Sequence, residues 1–170
     1  MTGSAAITGV GNQLDNTVIG NTAANFLYGL DGNDSLYGGD GGDAIYGGNG
    51  SDMLVGGEGI DLLDGGSEAD AIDGGTGNDI IIGGTGNDIL IGGAGSDRFI
   101  FAAGDGTDIV SDFAIGQDVV DLSGRGLTFE QLTALFVQNG ADGSIVFANG
   151  DAIMFHNITM TQLSSSDFIL

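Results

Sequence analysis

A period of nine residues runs from Gly11 to Ile100 without a slip. It opens with two weak copies, "GNQLDNTVI" (11–19) and "GNTAANFLY" (20–28). Eight stronger ones follow: "GLDGNDSLY", "GGDGGDAIY", "GGNGSDMLV", "GGEGIDLLD", "GGSEADAID", "GGTGNDIII", "GGTGNDILI" and "GGAGSDRFI". A chain written this way is built by repetition, because one such unit is too short to enclose a core of its own. The first six positions are Gly-rich and carry an acid, which suits a turn that needs left-handed backbone and close approach. The last three alternate as a very short strand, with position eight facing inward. That position is apolar in every copy: Val18, Leu27, Leu36, Ile45, Leu54, Leu63, Ile72, Ile81, Leu90 and Phe99. Stacking the units in parallel joins these side chains into one buried column, so the repeat predicts a solenoid.

Position six carries Asn16 and Asn25, then Asp34, Asp43, Asp52, Asp61, Asp70, Asp79, Asp88 and Asp97. The consensus G-G-x-G-x-D-x-U-x resembles the nonapeptide of the repeats-in-toxin (RTX) family, a calcium-binding parallel β-helix repeat. The resemblance implies an all-β fold, a right-handed parallel β-roll in which two nonapeptides make one turn and calcium sits between turns stacked on the same edge. One edge would then hold Asp43, Asp61, Asp79 and Asp97, and the other Asp34, Asp52, Asp70 and Asp88. Calcium takes six to eight oxygens from carboxylates and carbonyls. The carbonyls implied are those of positions two and four: Gly39/Gly41, Gly48/Gly50, Gly57/Gly59, Gly75/Gly77, Gly84/Gly86 and Gly93/Gly95. In "GGSEAD" the pair is Gly66 and Glu68, and Glu68 stands where the turn asks for Gly. About six to eight ions are expected. An Asp in a Gly-rich turn can merely cap its own backbone. Eight in register would repel, by about 3 kcal/mol per pair at the ~4.8 Å spacing of parallel strands. The ladder calls for a cation.

Composition points the same way. Against 24 acidic residues stand only Arg98 and Arg125, for a net charge of -22. No basic patch exists to displace counterions, which excludes nucleic acid as a partner. No apolar run reaches the length of a membrane span. The beginning, "MTGSAAITGV", lacks the basic and apolar regions of a secretory signal peptide. The chain ends in "SDFIL", an acid followed by apolar residues. This resembles the C-terminal signal of proteins exported by the type I secretion apparatus. The resemblance implies a secreted, extracellular protein exported without an N-terminal signal peptide, and a truncation at Asp167 is expected to spare calcium binding.

Three parts are expected: an N-terminal cap with degenerate repeats (1–28), the calcium-binding roll (29–100), and a β-rich C-terminal cap with the secretion signal (101–170). "FAAGDGTDIV" reads as a further repeat with two residues inserted, bringing Asp108 to the Asp88 edge. "TFEQLTALFVQNG" (128–140) predicts a helix with a Thr128/Gln131 capping box, a Gly140 stop and an apolar face of Phe129, Leu132, Leu135 and Phe136. "SIVFANGDAIMFHN" (144–157) predicts a hairpin around Asn149-Gly150.

Nothing in the pattern predicts an enzyme. His156 is the sole histidine and reads as a strand residue, and HExxH and GxSxG motifs do not occur. The function expected is a calcium-binding module whose ion-induced folding supports export and extracellular stability of a secreted bacterial protein. Two alternatives carry their own residues. Tyr28, Tyr37 and Tyr46 could stack on a polysaccharide, as in epimerase-like modules, and Thr76/Asn78 with Thr85/Asn87 could form an ice-binding face. Outward Ile80, Ile82, Ile89 and Ile91 are expected to be covered by the cap or by a neighbouring catalytic domain.

Overall fold

In the computed structural model the chain is described over residues 3–170, so the first two residues of the expected N-terminal cap lie outside the description. The roll is wound by β1 (Thr8–Val10), β2 (Thr17–Ile19), β3 (Phe26–Asp31), β4 (Ser35–Asp40), β5 (Ala44–Asn49), β6 (Met53–Glu58) and β7 (Leu62–Ser67). It continues through β8 (Ala71–Thr76), β9 (Ile80–Thr85), β10 (Ile89–Ile91), β11 (Arg98–Ile100), β12 (Thr107–Val110) and β13 (Val119–Asp121). The C-terminal part adds the helix α1 (Phe129–Ala134), then β14 (Phe136–Asn139), β15 (Asp142–Val146), β16 (Ala152–Phe155) and β17 (Phe168–Ile169). Odd strands through β13 pair in parallel in one sheet, which ends on β17. Even strands through β12 pair in a second sheet, which continues into β16, β15 and β14. The register advances by eighteen residues per turn, as in Leu27↔Ile45 and Leu36↔Leu54.

The six-residue strands are twice as long as the alternating triplet predicts. Backbone pairing continues past position nine into the glycines, for example Leu30↔Gly48 and Asp31↔Asn49. Position eight is buried in both sheets as expected. Leu27, Ile45, Leu63, Ile81 and Phe99 form one column, Leu36, Leu54, Ile72 and Leu90 the other, all at most 2% exposed. Val120 and Phe168 extend the first column and Val110 and Phe155 the second.

The helix is shorter than expected. Its capping box is present, with Thr128 accepting from the Gln131 N–H, but it ends at Ala134. The residues "FVQN" form β14 instead, and Gly140, at φ 67, turns the chain between β14 and β15. Leu132 is buried, with Phe129, Leu135 and Phe136 packed against the same core. The Asn149-Gly150 hairpin joins β15 to β16 as expected. Arg125 locks this part to the roll: its guanidinium lies over the Phe147 ring, pairs with Asp151 at 2.9 Å and donates to the Ala102 carbonyl. "DFIL" is also part of the fold, because Phe168 and Ile169 pair with Val120 and Asp121. Asp167 is fully buried and accepts from the Gly116 N–H, the Ser164 N–H and the Ser164 hydroxyl.

Candidate metal centres

The structure brings the position-six side chains together in two ladders. On one edge the backbone N–H of Asn16, Asp34, Asp52, Asp70 and Asp88 each donates to Oδ1 of the next member, ending on Asp108, at 2.6–3.0 Å. On the other edge Asn25, Asp43, Asp61, Asp79 and Asp97 do the same, ending on Asp118. The inserted residues do not break the first ladder, so Asp108 sits where the sequence puts it. Asp118 was missed because its spacing from Asp97 is 21 residues. Its signal was the triplet Asp118-Val119-Val120, which repeats the D-x-U pattern.

These bonds use only one oxygen of each carboxylate. Oδ2 of Asp34, Asp43, Asp52, Asp61, Asp70, Asp79, Asp88 and Asp97 is buried with no hydrogen-bond partner. A buried carboxylate oxygen without a donor is costly, and a cation is the group that relieves it.

The turns bring this oxygen and a main-chain carbonyl so close to position one that no side chain fits there. A Cβ built on Gly56 would lie 2.5 Å from the Gly74 carbonyl oxygen and closer still to Asp61 Oδ2. The same pairing of own-turn Oδ2 with next-turn carbonyl recurs at Gly29, Gly38, Gly47, Gly65 and Gly74. Gly83 and Gly92, nearest the C-terminal part, keep the carboxylate side of this cradle, at Asp88 and Asp97. None of these position-one glycines has positive φ. They are needed for space, not for left-handed backbone.

Positions two and four differ in kind. Gly39, Gly41, Gly48, Gly50, Gly57, Gly59, Gly66, Gly75, Gly77, Gly84, Gly86, Gly93 and Gly95 all have φ between 89° and 151°. Leu30 and Glu68 take the same left-handed backbone, with φ 87° and 75°. Glu68 therefore presents its carbonyl against Gly86 as the glycines do against theirs, and its carboxylate accepts from the Gly50 N–H at 2.6 Å. Among the described residues no three acidic, His or Cys side chains converge. The donor set at each gap is carboxylate plus main-chain oxygen, which fits a hard, oxygen-seeking ion such as calcium.

Burial governs the electrostatics of the metal-free ladder. It pushes the Asp52, Asp61 and Asp97 carboxyls up to about 6, and those of Asp70 and Asp108 up to about 7. The N–H donated from the preceding turn opposes this, and neighbouring carboxylates add to it. Asp43, Asp79, Asp88 and Asp118 are raised by burial as well.

Other singled-out residues separate. Tyr28 and Tyr46 stack on each other across neighbouring strands of one sheet, at 5.1 Å and 7°, so each turns a ring face to the other. Tyr37 is on the opposite sheet. Ile80 and Ile82 lie on the outside of one sheet, Ile89 and Ile91 on the outside of the other, so they form no single patch. The Asn78 and Asn87 side-chain oxygens accept from the Ser96 and Thr107 N–H, which ties stacked turns together. His156 is exposed in the turn after β16, outside the strand expected for it.

Comparison with known proteins gives relatives in sequence and in structure. Two curated proteins of Rhizobium meliloti (strain 1021), the endo-1,3-1,4-beta-glycanases ExsH and EglC, are each 38% identical over 66 residues. That stretch covers 38% of this chain and 14% of each glycanase. The extracellular lipase LipA from Serratia marcescens superposes over 100% of this chain and 40% of its own, with a TM-score of 0.59 at 16% identity. The R2 subunit of the Azotobacter vinelandii mannuronan C5-epimerase AlgE6 aligns over 98% of this chain and 92% of its own, at TM-score 0.44 and 22% identity. The profile of the RTX calcium-binding nonapeptide repeat matches residues 10–45, 46–81 and 73–110, more than half of the chain. With its ladders, glycine cradles and eighteen-residue turn, the chain belongs to the RTX calcium-binding nonapeptide repeat family.

Proposed function

We propose that this is a calcium-binding roll module whose ion-driven folding serves the export and extracellular stability of a secreted bacterial protein. The observation that carries the reading is the set of eight buried Asp oxygens without a donor. Asp34, Asp52, Asp70, Asp88 and Asp108 would hold ions along one edge, and Asp43, Asp61, Asp79, Asp97 and Asp118 along the other. Carbonyls of positions two and four, including Gly66 and Glu68, would complete each shell. Six cradles have both a carboxylate and a next-turn carbonyl, and two more at Gly83 and Gly92 have the carboxylate. This supports about six to eight ions. Calcium, when bound, supplies the positive charge that these buried carboxylates lack.

In calcium-poor cytosol the carboxylates repel and the core, one apolar side chain per nonapeptide, is thin, so the chain stays unfolded and able to pass a narrow type I export channel. Outside the cell, sites with affinities of about 10⁻⁴ to 10⁻³ M fill at millimolar calcium. At tenfold saturation each contributes about 1.4 kcal/mol, and six contribute about 8, comparable with the whole stability of a typical domain. On this reading residues 1–28 cap the roll, 29–100 bind the ions, and 101–170 close it and carry the export signal. The chain spans 14% of its glycanase relatives and 40% of the lipase, which supports a non-catalytic role beside an enzymatic domain.

The test is circular dichroism of the metal-free chain during calcium titration. Coil in chelator, turning cooperatively to β with about six to eight ions bound, is expected, with magnesium a poor substitute. A chain fully structured in chelator overturns the reading.

A further inference from the structure

At the N-terminal end of one ladder a side chain occupies the place that the reading above gives to calcium. Asn25 stands at position six, where the later turns carry Asp. Its Nδ2 donates to Asp43 Oδ1 at 2.9 Å, to the Asn21 carbonyl at 3.4 Å and to the Ala23 carbonyl. Asn21 and Ala23 hold positions two and four of this turn, eighteen residues before Gly39 and Gly41. The amide thus gathers the two carbonyls and the next-turn carboxylate that an ion would gather one turn later. Gly38, the next turn's position-one residue, has its carbonyl oxygen beside the same space.

Chemistry fixes the orientation of this amide. Turning it over would set Oδ1 against the same oxygens. As it stands, the cost is one buried Oδ1 without a donor. The backbone agrees, because neither Asn21 nor Ala23 has the positive φ seen at positions two and four of the later turns. Glycine is dispensable there, and the sequence dispenses with it. On the other edge Asn16 closes its turn differently, its Oδ1 accepting from its own Asn12 N–H at 2.7 Å.

We infer that the Asn25 amide is a built-in substitute for the first calcium on its edge, so that this gap binds no ion and the first turn assembles without one. The inference rests on calcium filling the later gaps. The amide closes the first turn of the stack without an ion of its own once calcium fills the gap between Asp43 and Asp61.

The experiment counts ions per chain by native mass spectrometry in calcium, for the full chain and two variants. Asn25→Asp replaces the donor by a carboxylate between the same carbonyls, and one additional ion is expected. Asn25→Ala removes the donor, and the parent's ion count is expected, with faster hydrogen exchange at the Phe26 and Ala44 amides. An unchanged count in Asn25→Asp overturns the inference. One ion fewer in Asn25→Ala also overturns it, because Asn25 would then be a ligand. A parent chain that binds no calcium defeats the reading of the ladder itself, and that outcome is read from the parent alone.

Discussion

The backbone N–H of Asp43 donates to Oδ1 of Asp61, eighteen residues on, at 2.7 Å. Asp61 in turn donates its N–H to Asp79 Oδ1 at 2.8 Å. Each interior Asp is therefore tied to two neighbouring turns through its main chain and one oxygen, while its other oxygen faces a gap. Position along the ladder should decide how much a substitution removes.

Asp61 borders two gaps, whereas Asp34 follows Asn16 and borders one charged gap. Asp61→Ala should lose close to two ions and Asp34→Ala about one. At about 1.4 kcal/mol per site under tenfold saturation, the interior variant should lose roughly twice the calcium-dependent stability. Calorimetric ion counts check this, and equal losses would mean that each Asp serves only its own turn.

Adjacent glycines should fail in different ways. Gly56 has ordinary backbone, and a methyl there enters the space between Asp61 Oδ2 and the Gly74 carbonyl. Gly56→Ala must push the Asp61 carboxylate and the Gly74 carbonyl aside, so it should remove about one ion and weaken the stack, without the left-handed strain added at Gly57. At Gly57, φ is 116° and a Cβ would strike the Gly39 carbonyl. Gly57→Ala should break the stacking itself, with lost β signal even at saturating calcium. Identical behaviour of the two variants would contradict the division between ion space and backbone conformation.

Acidity should act in opposite directions with and without calcium. Burial raises the folded carboxyls of Asp52, Asp61 and Asp97 to about 6 and of Asp70 and Asp108 to about 7. The protonated form therefore favours the metal-free fold. Its contribution is complete below the ordinary value of 3.8 and is lost as pH rises through 6 to 7. In chelator, lowering the pH from about 8 to about 5 should increase β structure. In calcium the same change should release ions, because the ligands must be deprotonated. Circular dichroism across pH in both conditions checks the crossing, and a parallel response would refute it.

The terminal acid should matter to stability as well as to any signal. Asp167→Ala removes the acceptor for the Gly116 N–H and for the Ser164 N–H and hydroxyl, each hydrogen bond contributing about 1 kcal/mol. A clear fall in calcium-loaded Tm is expected, and a Tm equal to the parent's would count against this role. Truncation before Asp167 also removes Phe168 from the buried column. No ladder residue lies on β17, so calcium binding is still expected after such a truncation, in a less stable roll.

What could be read from the sequence is what repeats. Leu36, Leu54 and Leu90 announce their column because each turn meets the same neighbour eighteen residues away. The Asp ladder follows from the same phase. Features that depend on a single contact were hidden. Asp118 was obscured by its longer spacing, and β14 lay inside what looked like a continuous helical face. The position-one glycines were visible in every strong copy, but their need arises from the carboxylate folded against them, which only the assembled turn displays. Asn25 read as a lost ligand, whereas its amide nitrogen makes the bonds.

The eighteen-residue turn also makes the length of this module a free variable. Removing residues 47–64 would join Tyr46 to Gly65 with both apolar columns and both ladders still in phase, giving a roll one turn shorter. Removing only nine residues would exchange the two sheets for everything downstream. Phe155 would then arrive beneath the wrong column, and Phe168 would meet the place meant for Phe155. The C-terminal closure therefore sets a parity rule, under which the module can be lengthened or shortened by whole turns but not by halves.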